Sequence, residues 1–193
     1  MPGTNETITL AYPQSNTAGN LLVYVISVSS NSPPNIAPTD SNGNTILVAK
    51  NSTNSLAIYY VSSCHGGPNT VSLRPGFLDG FMELWEIRGT SGHLDQTGNS
   101  AGLVGPSATV STSGSTKHPN EISIAGFFAK LTSTPVTLGS GYRGYAVVGP
   151  DNGSETLASG YLILSDVGTE TTQTATATFS KNSGSFNAIA TFY

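Results

Sequence analysis

The chain has 193 residues, a length that one β-sandwich domain can fill and that can bury a sizeable core without disulfides or metals. Only 9% of its residues are charged, against roughly 25% in an average globular protein, and the net charge is −4. Seven scattered Lys and Arg cannot form the basic stripe that tracks a phosphate backbone, and no apolar run nears the ~20 residues of a membrane-spanning helix, so the composition argues against nucleic acid as a partner and against membrane insertion.

A surface poor in charge must be built from neutral hydroxyls and amides. Short apolar runs recur along the whole chain, which points to a folded β protein rather than disorder. No helical periodicity is sustained. Period-2 stretches and β-branched or aromatic runs alternate with clusters of Gly, Pro, Asn and Ser. Strands are predicted over 7–11, 21–29, 46–50, 56–62, 70–74, 81–87, 108–111, 121–130, 136–138, 142–148, 158–164, 171–179 and 186–193. The start shows no basic segment followed by a long apolar one, so a mature or cloned domain is expected, or one that leaves its cell by another route such as assembly into a phage particle.

In chain order, the run from Leu21 to Ile26 is apolar on both faces, as a covered mid-sheet strand must be. The segment "PTDSNGNTI" then crowds Asp40, Asn42, Gly43 and Asn44 between a Pro-rich loop and the run from Ile46 to Ala49. Asn-Gly is a strong hairpin signal, because both residues accept positive φ, and Asp40 can bond to amides just downstream. An EF-hand loop needs an acidic residue at its twelfth position, where this chain has Asn51. A turn is therefore the favoured reading, and Asp40, Asn42 and Asn44 are only weak metal candidates. Asp151-Asn152-Gly153 reads the same way.

Cys64 is the only cysteine and cannot form an internal disulfide. Its neighbour His65 points to the opposite face of an extended chain, so the two do not converge naturally. Glu83 and Glu86 resemble a glycosidase carboxylate pair, yet residues three apart on a regular strand also face opposite ways. His65, His93 and His118 have no compact zinc spacing, although His93 stands near Asp95. There is no Gly-x-Ser-x-Gly elbow. The tract at 111–116 reads as a loop between strands, and 171–179 as a strand with Ala175, Ala177 and Phe179 on one face and a threonine row on the other.

Aromatic residues carry the remaining signal. Tyr142, Arg143 and Tyr145 lie in a Gly-rich segment that reads as exposed, and Trp85 is the sole tryptophan. These four are the candidate glycan-binding residues: an aromatic ring offers a face to sugar C–H groups while polar side chains read the hydroxyls. The competing reading places Trp85 in the core and leaves the tyrosines half-buried with their hydroxyls in water.

Several phrases in order resemble one poorly characterised group: "TAGNLLVYVISV" at 17–28, "DSNGNTILVA" at 40–49, "LAIYYVSSCHGGPNTVSL" at 56–73, "FMELWEIRG" at 81–89, "NEISIAGFFA" at 120–129 and "SFNAIATFY" at 185–193. The group comprises jelly-roll-like β-sandwich domains of bacterial surface or secreted proteins and of phage virion and tail-associated proteins. Arg88 stands where the group has a small residue, and Gly126 interrupts a bulky strand.

The combined expectation is one domain over 1–193, an all-β, two-sheet antiparallel sandwich with jelly-roll-like topology. It is expected to be a non-catalytic structural protein of a virion (decoration or fibre-associated) or of a bacterial cell-surface assembly. Its setting is then extracellular, on the cell surface or on the particle. Its partners are other protein subunits, as a homo-oligomer or larger assembly, with glycans as the alternative. No cofactor is expected.

Overall fold

The computed structural model describes residues 7–28, 37–52, 55–74, 80–130, 136–139, 141–148, 155–165 and 171–193. Thirteen strands account for the regular structure among them: β1 (Ile8–Ala11), β2 (Leu21–Val28), β3 (Thr39–Asp40), β4 (Leu47–Ser52), β5 (Leu56–Val61), β6 (Thr70–Leu73), β7 (Gly80–Ile87), β8 (Leu94–Ser115), β9 (Glu121–Lys130), β10 (Thr137–Leu138), β11 (Arg143–Val148), β12 (Glu155–Leu164) and β13 (Thr172–Phe192). Every pairing between them is antiparallel.

The chain is an all-β antiparallel sandwich. One principal sheet has the order β4-β5-β2-β7. The other runs β10-β13-β9-β12-β11, with β8 also paired to β13. A third, smaller sheet, β1-β6-β3, covers the outer face of the first.

The fully buried β2 explains this layering. Its odd residues Leu21, Val23 and Val25 pack against Ile122, Ile124 and Phe128 of β9 and against Ala190 and Phe192 of β13. Its even residues Leu22, Tyr24 and Ile26 pack against Val71 and Leu73 of β6. Side chains alternate across a strand, so eight consecutive buried residues require cover on both faces. β9 repeats the pattern. Its other face carries Ala125, Phe127 and Ala129 into a third core with Ala175, Ala177 and Phe179.

That third core exists because β13 bends. Its second half pairs with β9 from Gly184 to Phe192, while its first half lies over the far face of β9. Between Thr178 and Ser183 the pairing with β8 slips, so that residues 179–182 stand opposite residue 106 alone. Such a bulge turns a strand sharply. The sheet curls towards a barrel and encloses the small residues of β8 and β13.

At Gly126 the two principal sheets approach closely. A Cβ there would sit 2.6 Å from Val25 Cγ1. The glycine that interrupts a bulky strand is thus the position where the facing β2 presses in.

Several strand expectations change. The predicted 108–111 is the middle of β8, which runs from Leu94 to Ser115, and the tract at 111–116 is almost entirely strand rather than loop. The segments 171–179 and 186–193 belong to one strand. The Asn42-Gly43 turn joins no two strands of one sheet: β3 before it pairs with β6, and β4 after it pairs with β5. Only Gly43 of that pair has positive φ, 66°, whereas a type I′ hairpin turn needs it at both positions. The second Asn-Gly turn, at residues 151–153, lies outside the described residues.

Candidate functional site

β7 and β11 are edge strands of the two principal sheets, and Trp85 on β7 meets Tyr145 on β11. The two rings stack with centroids 5.9 Å apart and planes 23° from parallel. Tyr161 of β12 meets Trp85 edge-on at 5.6 Å. The pairing of β11 with β12 sets Arg143 opposite Tyr161 and Tyr145 opposite Ser159, so these four residues share one face. Arg143 is exposed, and Tyr145 is 73% exposed despite its contact with Trp85.

Behind the rings lies a polar relay. Glu83 and Trp85 are two apart on β7 and share a face. The Ser159 hydroxyl donates to Glu83 Oε2 and accepts from Trp85 Nε1 at 2.8 Å. Glu83 is 7% exposed, and its Oε1 has no partner among the described residues. Burial pushes this carboxyl up to about 7, against the opposing effect of the Ser159 hydrogen bonds.

Tyr142 does not join this surface. It is 7% exposed and packs into the third core, where its hydroxyl shares a 2.6 Å hydrogen bond with Ser123. The alternation of an extended chain separates it from Arg143 and Tyr145. Trp85 takes neither extreme of its two readings: it is half-buried, packed against the first core, with its indole N–H satisfied.

Glu86 faces away from Glu83, so the two carboxylates form no catalytic pair. It accepts from Asn16 Nδ2 at 2.9 Å, Thr17 N at 2.8 Å and Asn20 Nδ2 at 2.6 Å, which ties the loop after β1 to β7. Burial opposes its charge, but these donors and the Arg88 guanidinium outweigh that and hold the carboxyl below the usual range.

Asp40 organises its own turn. It accepts from Asn44 N at 3.0 Å, Asn44 Nδ2 at 2.6 Å, Tyr24 Oη at 3.0 Å and, more distantly, Asn69 Nδ2 at 3.4 Å. Burial works against its charge, and the four donors prevail, leaving the carboxyl below its ordinary value. Asn42 and Asn44 are engaged with His65: Asn44 Oδ1 accepts from His65 N at 2.7 Å, and His65 Nδ1 lies 2.8 Å from the Asn42 carbonyl oxygen. Cys64 is buried and donates to the Thr17 carbonyl at 3.1 Å, so Cys64 and His65 serve different neighbours.

His93 and His118 both lie against the Tyr193 ring, at 5.5 and 3.6 Å. Asp95 instead accepts from Lys117 N at 2.9 Å. Among the described residues, no three His, Cys, Asp or Glu side chains gather around a point that could hold a metal ion.

A different surface lies at the opposite edge of the first sheet. β4 is paired on one side only within that sheet, and it exposes Leu47 and Val48, the latter 57% accessible. A register shift between Val48 and Lys50 bends it there.

Sequence reasoning singled out Trp85, Arg143 and Tyr145 but missed Ser159 and the place of Glu83 beside them. Their proximity depends on how β7 of one sheet packs against β12 of the other, segments more than seventy residues apart, for which no local signal exists. Set against known proteins, the chain matches no family model, no curated protein and no solved structure.

Proposed function

We propose that the chain is a non-catalytic structural protein of a phage virion or bacterial cell-surface assembly, working outside the cell or on the particle through contacts with other subunits, foremost copies of itself. The observation that carries this reading is the β4 edge. Leu47 and Val48 are adjacent, point to opposite faces of the strand and are both exposed, so apolar surface lies on both sides of a strand whose ladder partner among the described residues is β5 alone. Edges of this kind are where a strand from another chain can add, and two copies meeting there would form a self-complementary two-fold contact. The neutral, hydroxyl-rich surface suits tight packing of like subunits, because few charges would need desolvation.

Light scattering coupled to size exclusion, over a range of concentrations, tests this. A dimer or larger closed assembly that Val48→Lys converts to monomer is expected. A wild-type chain that stays monomeric at every concentration would overturn self-association through this edge.

A further inference from the structure

The aromatic seam on the other side of the molecule has no part in that contact. We propose that Tyr145, stacked on Trp85 and flanked by Arg143, is a binding site for a saccharide that carries a carboxylate.

The shape comes first. Tyr145 is held outward with one ring face on Trp85, which leaves its other face to solvent. A large aromatic ring at an edge could instead fold down over apolar surface, as Tyr142 does three residues earlier. The ring beneath is fixed: Trp85 Nε1 is tied to Ser159, and Ser159 to Glu83. A platform whose support is locked before binding loses little freedom when a ligand arrives.

The chemistry follows from the side chains. One face of a pyranose ring is a patch of C–H bonds, weakly positive and apolar, which matches the electron-rich face of an aromatic ring. Hydroxyls at the sugar's rim need hydrogen-bonding groups, and the register sets Tyr161 opposite Arg143 and Tyr145 two residues along the same face. Among the described residues, no carboxylate meets the Arg143 guanidinium, whose planar fork is shaped to bind a carboxylate with two parallel hydrogen bonds. The acid near the site, Glu83, is buried behind the rings, and burial keeps much of it protonated at mildly acid pH. An anionic sugar therefore meets a cation at the surface rather than a repelling charge.

The test uses the full chain at pH 6, with an oligogalacturonate and a neutral oligogalactan as probes. Trp85 is the only tryptophan, so its fluorescence reports directly on the site, and calorimetry gives the affinity. The acidic probe is expected to bind and to shift the Trp85 emission. Tyr145→Ala should weaken binding of the acidic probe by about tenfold or more, and Arg143→Ala should weaken it by a similar factor while removing the preference over the neutral probe. Both side chains are exposed, so the variants should keep the wild-type melting temperature, which is measured in parallel. Failure of the wild-type chain to bind the acidic probe, equal binding of both probes, or binding indifferent to both substitutions would each overturn the proposal.

Discussion

Glu83 sits on an edge strand and yet is buried, with one carboxylate oxygen bonded by Ser159 and the other without a partner among the described residues. Its pKa near 7 is a statement about stability. In the unfolded chain the group titrates near the ordinary glutamate value of about 4.3. Below that pH both states are protonated and the group is neutral in its effect. As pH rises towards 7, the unfolded state gives up its proton while the folded state holds it, so stability falls. The loss is complete above the folded pKa and is on the order of 3–4 kcal/mol. Glu83→Gln keeps an oxygen for Ser159 and removes the charge. It is expected to stabilise the fold at pH 8 by up to about 3–4 kcal/mol and to change little near pH 4, as read from denaturant midpoints at the two values. An equal effect at both would mean that burial does not set the titration. Asp40 and Glu86 work in the opposite sense: donors hold their carboxyls low, so their contributions fade as pH falls through those depressed values. At this scale the sequence was readable where a residue acts through its near neighbours. The Asp40 turn follows from Asn44 four residues on, and the opposed faces of Glu83 and Glu86 follow from strand alternation. The burial of Tyr142 was not readable, since nothing local says which face of that strand meets the third core.

Among the elements, β9 shows how a pattern was read well and its reason missed. Its bounds, residues 121 to 130, are predicted from a segment with apolar residues on both faces, and its burial on both faces follows from the same pattern. Gly126 looked like an interruption because its role lies in the facing sheet. Gly126→Ala would drive a methyl group into Val25 Cγ1, a β-branched side chain with little rotamer freedom to yield. The substitution is expected to destabilise by about 1–3 kcal/mol, as overpacking does, despite the usual preference for alanine over glycine within a strand. A midpoint equal to or above that of the wild type would show that the sheets can part without loss. Companion Val25→Ala in the same background should recover part of the deficit, since it removes the clashing methyl. The long β8 was largely invisible because its first half, LDQTGNSAGLV, has polar residues and glycines between its few apolar ones and no hydrophobic alternation. It is strand because β13 offers it a backbone partner along most of its length. Hydroxyl contacts such as Ser100 to the Thr109 carbonyl and Ser113 to the Thr97 carbonyl brace it.

For the whole molecule, the question is whether three cores make one cooperative unit. β2 supplies side chains to the first and second cores, and β9 supplies the first and third. Neither strand can lose one covering layer without exposing the apolar face it buries there. The third core alone would be small, being lined largely by alanines with Phe127, Tyr142 and Phe179 as its bulk. It depends on β13 bending back over β9, and the second half of the same strand completes the first core with Ala188, Ala190 and Phe192. Phe127→Ala removes a fully buried ring and should cost about 3–5 kcal/mol. If the cores are coupled through β9 and β13, calorimetry of this variant will show a single transition, lowered by roughly 2–4 °C for each kcal/mol, with van't Hoff and calorimetric enthalpies still equal. If the β8–β13 flap is instead a separate unit, the variant will melt in two steps, the first with a small enthalpy and little change in Trp85 fluorescence. Trp85 reports selectively here because it lies at the seam of the two principal sheets, packed against the first core rather than the third. One coupled transition would also mean that the Tyr145 platform, carried on the edge strand β11 of the same curled sheet, is only as rigid as the core behind β9.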